Sequence, residues 1–258
     1  MNQKTVLITG CSSGFGLLTA QKFHQEGWNV IATMRSPQQD GKLMGLDRMV
    51  VTRLDVTDPS SVKQAIREGL AEFGRIDALI NNAAYGAHSL FEQYSDEDVR
   101  RMYDTNVFGL MDVTREVLPI MRDQKSGTII NVTSMAGMLG APTISIYAST
   151  KWAVEGLTEA MAFEYKPLGI RVKTVAPGAY PTTRFNANTR DDLNVGGVDL
   201  SNHANKLYEH LQSVAQQMAQ QSGNVADPQE VADKIWECVN SETPVHNPIG
   251  ADAQMLVK

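Results

Sequence analysis

Tyr147 and Lys151 stand four residues apart in the stretch Ser145-Ile146-Tyr147-Ala148-Ser149-Thr150-Lys151. On a helix that spacing puts both on one face, one turn apart, and Val154, Leu157 and Met161 continue a helical apolar series. A free phenol ionises near pH 10, too high to trade protons easily near neutrality. An ammonium within a few ångströms favours phenolate and is expected to lower that value. The pair therefore reads as a general acid/base with its own tuning charge. The same two residues also fit an amphipathic tyrosine and a solvated lysine on a surface helix, so the rest of the chain must decide. Ser134 lies just past the run Gly127 to Val132, where a parallel sheet presents chemistry, although a serine there suits a turn cap equally. Asn106 sits on the inward stripe Val99, Tyr103, Asn106, Leu110, Val113, Val117 of a long helix opening at Ser95. A buried amide left unpaired costs about 1–3 kcal/mol. That fits a site residue and a structural amide bonded to nearby backbone equally well.

The amino-terminal stretch adds a nucleotide site. Lys4 to Thr9 is a short β-branched run that stops at Gly10-Cys11-Ser12-Ser13-Gly14-Phe15-Gly16. A helix follows, with Leu17, Ala20 and Phe23 inward and Gly27 as its stop. Strand, glycine turn and helix in that order favour a dinucleotide: Gly10 for the tight turn, Gly14 and Gly16 for approach to a pyrophosphate on the helix N-terminus. The second strand, Trp28 to Thr33, ends in Met34-Arg35-Ser36 with no carboxylate. An acidic residue there would favour the free ribose of NAD, whereas Arg35 suits the 2′-phosphate of NADP. Asp55, at the end of the strand Met49 to Leu54, is placed to accept from an adenine amino group.

Strands at Ile76 to Ile80, Gly127 to Val132, Ile170 to Val175 and around Ile249 alternate with helices, of which one starts at Asp58-Pro59 and another at Asp227-Pro228. This order implies an α/β fold, a doubly wound parallel seven-stranded sheet with helices on both faces. One domain over 1–258 is expected, with a polar insertion from about Tyr180 to Gly223 as a substrate lid. The 258 residues are 42% hydrophobic and 20% charged, with 29 acidic against 23 basic side chains and a net charge of -6. That balance argues against nucleic acid or an anionic membrane surface as partner. The chain offers no run long enough to span a bilayer, no signal-like start and no metal-ligand spacing among its two cysteines and five histidines. A cytoplasmic setting is expected.

Thr9-Gly10-x-x-x-Gly14-x-Gly16, Asn81-Asn82-Ala83-Ala84, Asn106, Ser134, Tyr147-x-x-x-Lys151 and Pro177-Gly178 stand in the order and spacing of the short-chain dehydrogenase/reductase family. The chain resembles the compact branch of that family from Thr5 to Pro181, with Ala84 where the family usually has glycine. The resemblance implies a tetrad. Tyr147 exchanges the proton of a carbonyl or alcohol oxygen, Lys151 binds the nicotinamide ribose, Ser134 holds the substrate oxygen, and Asn106 holds a water linked to Lys151. It also implies cofactor contacts from Gly10, Ser12, Ser13, Gly14, Phe15 and Gly16, and from Arg35, Asp55, Val56, Asn82 and Ala83. Tyr147, Lys151, Pro177, Gly178 and Thr182 would line the nicotinamide end.

The expected activity is NADP(H)-dependent interconversion of an alcohol and a ketone or aldehyde, with NADP(H) preferred over NAD(H). A non-catalytic dinucleotide-binding regulator on the same fold would not need Ser134, Tyr147 and Lys151 together. A methyltransferase would have no use for the Tyr–Lys pair, and a sugar-nucleotide epimerase normally needs a longer chain. Tyr85, His88, Met135, Leu139, Tyr180 and Phe185 lie on segments that should frame the site, which favours an apolar substrate over a phosphorylated one. Ala153, Gly156 and Ala160, with a second apolar edge at Leu118 and Met121, suggest helices that pair in a homodimer or homotetramer.

Overall fold

A computed structural model describes residues 3–37, 41–180, 183, 190–191, 197–222, 226–251 and 253. The strands and helices run β1 (Thr5–Thr9), α1 (Gly14–Gln25), β2 (Asn29–Met34), β3 (Met49–Arg53), α2 (Pro59–Phe73), β4 (Ala78–Asn81), β5 (Ala87–His88) and α3 (Asp96–Tyr103). They continue with α4 (Leu110–Gln124), β6 (Gly127–Val132), α5 (Ser145–Tyr165), β7 (Ile170–Pro177), β8 (Arg190–Asp191), α6 (Val198–Ser222), α7 (Gln229–Asn240) and β9 (His246–Ile249). Seven strands pair in the order β3-β2-β1-β4-β6-β7-β9, every pair parallel. This is the doubly wound sheet read from the sequence. Strand order reverses between β1 and β4, and the crevice outside their carboxyl ends is where such sheets bind ligands.

Alternation along each strand divides the core into two layers, because successive side chains point to opposite faces. Val6, Ile8, Val30 and Ile80 pack with Leu17, Ala20 and Phe23 of α1 and Val231, Ile235 and Val239 of α7. Leu7, Ile31, Leu79 and Ile129 pack on the other face with Val62 and Ile66 of α2 and Val113 and Val117 of α4. The helix starts follow the sequence: Asp58 accepts from the Ser60 and Ser61 amides with Pro59 in the first turn, and Asp227 accepts from Gln229 N at 2.9 Å.

Two expectations change. The long helix from Ser95 is interrupted by a π-helical turn over Asp104–Gly109, whose extra residue per turn rotates the later part of the helix relative to the earlier part, a change that the steps of three and four in the sequence do not show. Leu118 and Met121 are not a free edge but buried, and Met121 fills the space above Gly127, where an added Cβ would lie 2.4 Å from its sulfur.

Candidate active site

The first turn is fixed by contacts between backbones. Gly10 has φ +75°, a left-handed conformation that favours glycine. A Cβ on Gly16 would lie 2.3 Å from Gly10 O and 2.5 Å from Asn82 Nδ2, so Gly16 serves close packing of α1 on the turn rather than a direct opening to a ligand. Asn82 ties the turn to the end of β4, its Nδ2 donating to Thr9 O at 2.9 Å and Gly10 O at 3.1 Å. Thr9 Oγ1 accepts from the amides of Asn82 and Ala83, both at 3.0 Å. Thr9 opens the glycine motif in the sequence, but nothing there assigns it this bracing role.

The start of α1 is suited to an anion. Ser13 provides no side-chain cap and the first turn carries no acid. By contrast α2 is capped by Asp58, and α3 by Ser95 with Asp96, Glu97 and Asp98 in its first turn. An added Cβ on Gly14 would meet only Thr183 Cβ, at 4.0 Å. Open space before uncapped amides fits the pyrophosphate of a dinucleotide, with Ser12, Ser13 and Phe15 beside it. Phe15 is held edge-on to Tyr180 at 5.2 Å.

At the adenosine end, Arg35 is exposed just beyond β2, while Arg53 on the neighbouring strand is drawn to Asp58 at 3.2 Å. Asp55 Oδ1 accepts from Thr57 N at 3.0 Å and Thr57 Oγ1 at 2.8 Å. Val56 is buried against the π turn, its Cβ 2.8 Å from where a Gly109 Cβ would be. Pro177 ends β7 and Gly178 N donates to Ile249 O at 2.9 Å. Thr182 and Phe185 lie outside the described residues, as does most of the expected lid between 181 and 196.

The carboxyl end of β6 and the first turns of α5 converge. Ser134 caps a short 3₁₀ turn over Met135–Gly137, its Oγ accepting from Ala136 N at 3.1 Å. The same hydroxyl is hydrogen-bonded to the Tyr147 phenol, so the serine that caps the turn also faces the tyrosine. Tyr147 and Lys151 are both buried. Lys151 Nζ donates to Val132 O at 2.9 Å and lies 5.7 Å from the Tyr147 ring centre.

Burial overturns the expected direction at the tyrosine. It pushes the phenol up to about 12, and the Ser134 hydrogen bond only partly opposes it. Burial likewise draws Lys151 down to about 8, against the pull of the Glu155 carboxylate. Desolvation penalises the charged form of each group more than the neighbouring dipoles and charges compensate.

Asn106 lies inside the π turn. Its Oδ1 accepts from Tyr85 N at 3.0 Å, and its Nδ2 donates to Tyr85 O at 2.9 Å and to Thr150 Oγ1 at 3.2 Å. Thr150 Oγ1 donates in turn to Tyr147 O at 2.7 Å. The Asn106 side chain thus braces the segment after β4 against α5, between the tyrosine and the lysine. Tyr147 belongs to an apolar cluster with Met102, Ala136 and Ile146, against which Tyr85 and Ile144 also pack. His88 meets Tyr208 of α6 with ring centres 4.6 Å apart and ring planes tilted by 55°. Tyr180 does not frame the site as expected: it is buried in the core, with its hydroxyl donating to Glu230 at 2.8 Å. Cys11 is buried in the turn, its thiol donating to Ile8 O at 3.3 Å. Among the described residues no group of acids, cysteines or histidines could hold a metal, and no helix is long and apolar enough to cross a membrane.

A family model described as short chain dehydrogenase matches residues 4–194. The 3-ketodihydrosphingosine reductase of Bacteroides thetaiotaomicron is 35% identical, over 99% of this chain and 91% of its own. A short-chain dehydrogenase from Streptomyces avermitilis superposes with a TM-score of 0.84 at 32% identity, covering 99% of this chain and 91% of that one. The structure of ElxO with NADP bound gives a TM-score of 0.78 at 26% identity, covering 98% and 99%.

Proposed function

The chain belongs to the short-chain dehydrogenase family, and from that premise we propose that it is an NADP(H)-dependent oxidoreductase that interconverts an alcohol and a ketone or aldehyde. The observation that carries this reading is the convergence of Ser134, Tyr147 and Lys151 at the carboxyl end of β6. A nicotinamide dinucleotide, when bound, supplies or accepts the hydride.

The side chains do the rest. The uncapped start of α1 takes the pyrophosphate, and Lys151 binds at the nicotinamide ribose. Ser134 fixes the substrate oxygen beside the phenol and stabilises charge developing there. Tyr147 gives its proton to that oxygen during reduction and takes it back during oxidation. A phenol pushed up to about 12 keeps its proton at neutral pH, which suits the reducing direction. The apolar cluster that contains Tyr147, with Tyr85 and Ile144 packed against it, favours an apolar carbonyl compound. A relative named for reducing a keto substrate supports the same choice.

Arg35, with no carboxylate at the tip of β2, supports NADP(H) over NAD(H). The exposed small-residue stripe of α5, with Gly156 open and Trp152 and Phe163 beside it, supports pairing in a homodimer or homotetramer. Absorbance at the NADPH band, followed with a panel of ketones and aldehydes, tests the proposal. Consumption of NADPH with at least one apolar carbonyl is expected. No consumption with any of them, or best turnover on a phosphosugar, would overturn it.

A further inference from the structure

The polar face of α5 does not end at Lys151. Glu155, one turn further on, is buried although it carries a carboxylate. Burial of such a group is tolerable only when its oxygens are satisfied, and both are. Oε1 accepts from the hydroxyl of Thr133 at 2.5 Å, the residue between Val132, which holds Lys151, and Ser134. Oε2 is 2.7 Å from Nδ1 of His246 at the start of β9. The His246 side chain is 38% exposed, and its Nε2 lies 4.0 Å from Glu159, a further turn along α5. Tyr147, Lys151, Glu155 and Glu159 thus form one stripe at four-residue steps, with Glu155 pinned at both oxygens.

The wall beside this stripe is closed. A Cβ on Gly137 would lie 3.1 Å from Glu155 Cγ and 3.1 Å from both the carbonyl carbon and oxygen of Lys151. The 3₁₀ turn therefore seats directly over both residues, and its members Met135, Ala136 and Gly137 carry no ionisable group. The charged and titratable groups facing Glu155 among the described residues are Lys151 on its own helix and His246 on β9, with Glu159 beyond the imidazole. No carboxylate lies within ion-pair distance of Lys151 Nζ among those residues, and the Glu155 charge acts on it through a dry interior, where charges interact strongly.

On the reading that Tyr147 and Lys151 are the acid/base pair, we infer that Glu155, anchored by Thr133 and His246, is a positioning residue that keeps the Lys151 ammonium charged beside Tyr147. Burial alone favours a neutral lysine, and Glu155 is the charge that opposes it. Glu155→Gln keeps the shape and removes the charge; its amide oxygen still accepts from Thr133, while its NH₂ takes the place of Oε2 and needs Nδ1 of His246 as an acceptor.

The test is titration of Lys151 in the cofactor-free protein by the NMR signal of ¹³Cε-labelled lysine, assigned with Lys151→Met. Glu155→Gln should lower the Lys151 midpoint by about one pH unit or more. The basic limb of the pH–rate profile for carbonyl reduction should move down with it. An unchanged midpoint overturns the inference, because a merely structural glutamate would not move it. Should Glu155→Gln fail to fold, the Glu155 carboxyl ¹³C signal in the unmodified protein must shift as Lys151 titrates. A flat signal overturns the inference equally. If the midpoint moves but the protein reduces no carbonyl compound, the functional reading falls and the coupling stands.

Discussion

At the turn after β1, Gly10, Gly16 and Asn82 meet at backbone distances that leave no room for an extra carbon. On α5, by contrast, Tyr147, Lys151 and Glu155 are set by desolvation and charge, with both ends of the titrating pair displaced by burial. The first region is defined by shape, so its changes should be steric and felt in folding and cofactor affinity. The second is defined by electrostatics, so isosteric changes should alter chemistry while sparing shape. On the proposed function, holding a cofactor and moving a proton are divided between a rigid turn and a dry helix face.

The largest effect expected on the electrostatic side is that of Tyr147→Phe. It should lower turnover by about 10²–10⁴-fold while dinucleotide affinity, measured by fluorescence titration, stays nearly unchanged. Substantial turnover in this variant would dissolve the contrast between the two regions.

Lys151→Met should abolish activity yet stabilise the fold, which a thermal melt reads directly. The folded-state pKa of Lys151 is depressed from 10.5 to about 8, so the charged lysine destabilises the folded state at neutral pH. That penalty is fully present below pH 8, on the order of 3 kcal/mol at 1.36 kcal/mol per unit. It fades as pH rises from 8 to 10.5 and is gone above. The stability gained by Lys151→Met should be greatest near pH 7 and vanish by about pH 10.5; a loss of stability at pH 7 would contradict the burial account.

On the steric side, Gly16→Ala should cost about 1–3 kcal/mol of stability through overpacking and weaken binding of NADPH and NADH alike. Arg35→Ala should be the mildest. It should raise the Michaelis constant for NADPH about tenfold, from loss of one charge-assisted hydrogen bond of about 1.5–3 kcal/mol, and hardly change that for NADH. Equal effects on both cofactors would remove Arg35 from the account.

Much of the fold is legible in the sequence, because strands in a doubly wound sheet are local apolar runs and the turn, Ser134 and the Tyr–Lys pair sit at fixed offsets from them. What the sequence could not reveal depends on contacts between distant segments. His246 and Glu155 are 91 residues apart, and nothing in either stretch announces the other. The π turn around Asn106 falls where the apolar spacing is that of a regular helix, so periodicity does not announce it. The direction of the Tyr147 shift was missed because four-residue spacing shows a nearby ammonium but not how much water the fold removes. Tyr180 was misplaced for a similar reason: its position after β7 pointed to the cleft, whereas its ring closes the core against Phe15.

The most direct test of the central claim follows hydride and proton separately. NADPH deuterated at either face of C4 is offered to the protein with an apolar ketone, and the alcohol product is analysed by mass spectrometry. Label from one of the two epimers should arrive at the carbinol carbon with the unmodified protein, and Tyr147→Phe should bind the same cofactor but transfer the label at least about 10²-fold more slowly. Product free of label from both epimers, or equal transfer by Tyr147→Phe, would contradict the assignment of this site as a nicotinamide-dependent oxidoreductase whose proton comes from Tyr147.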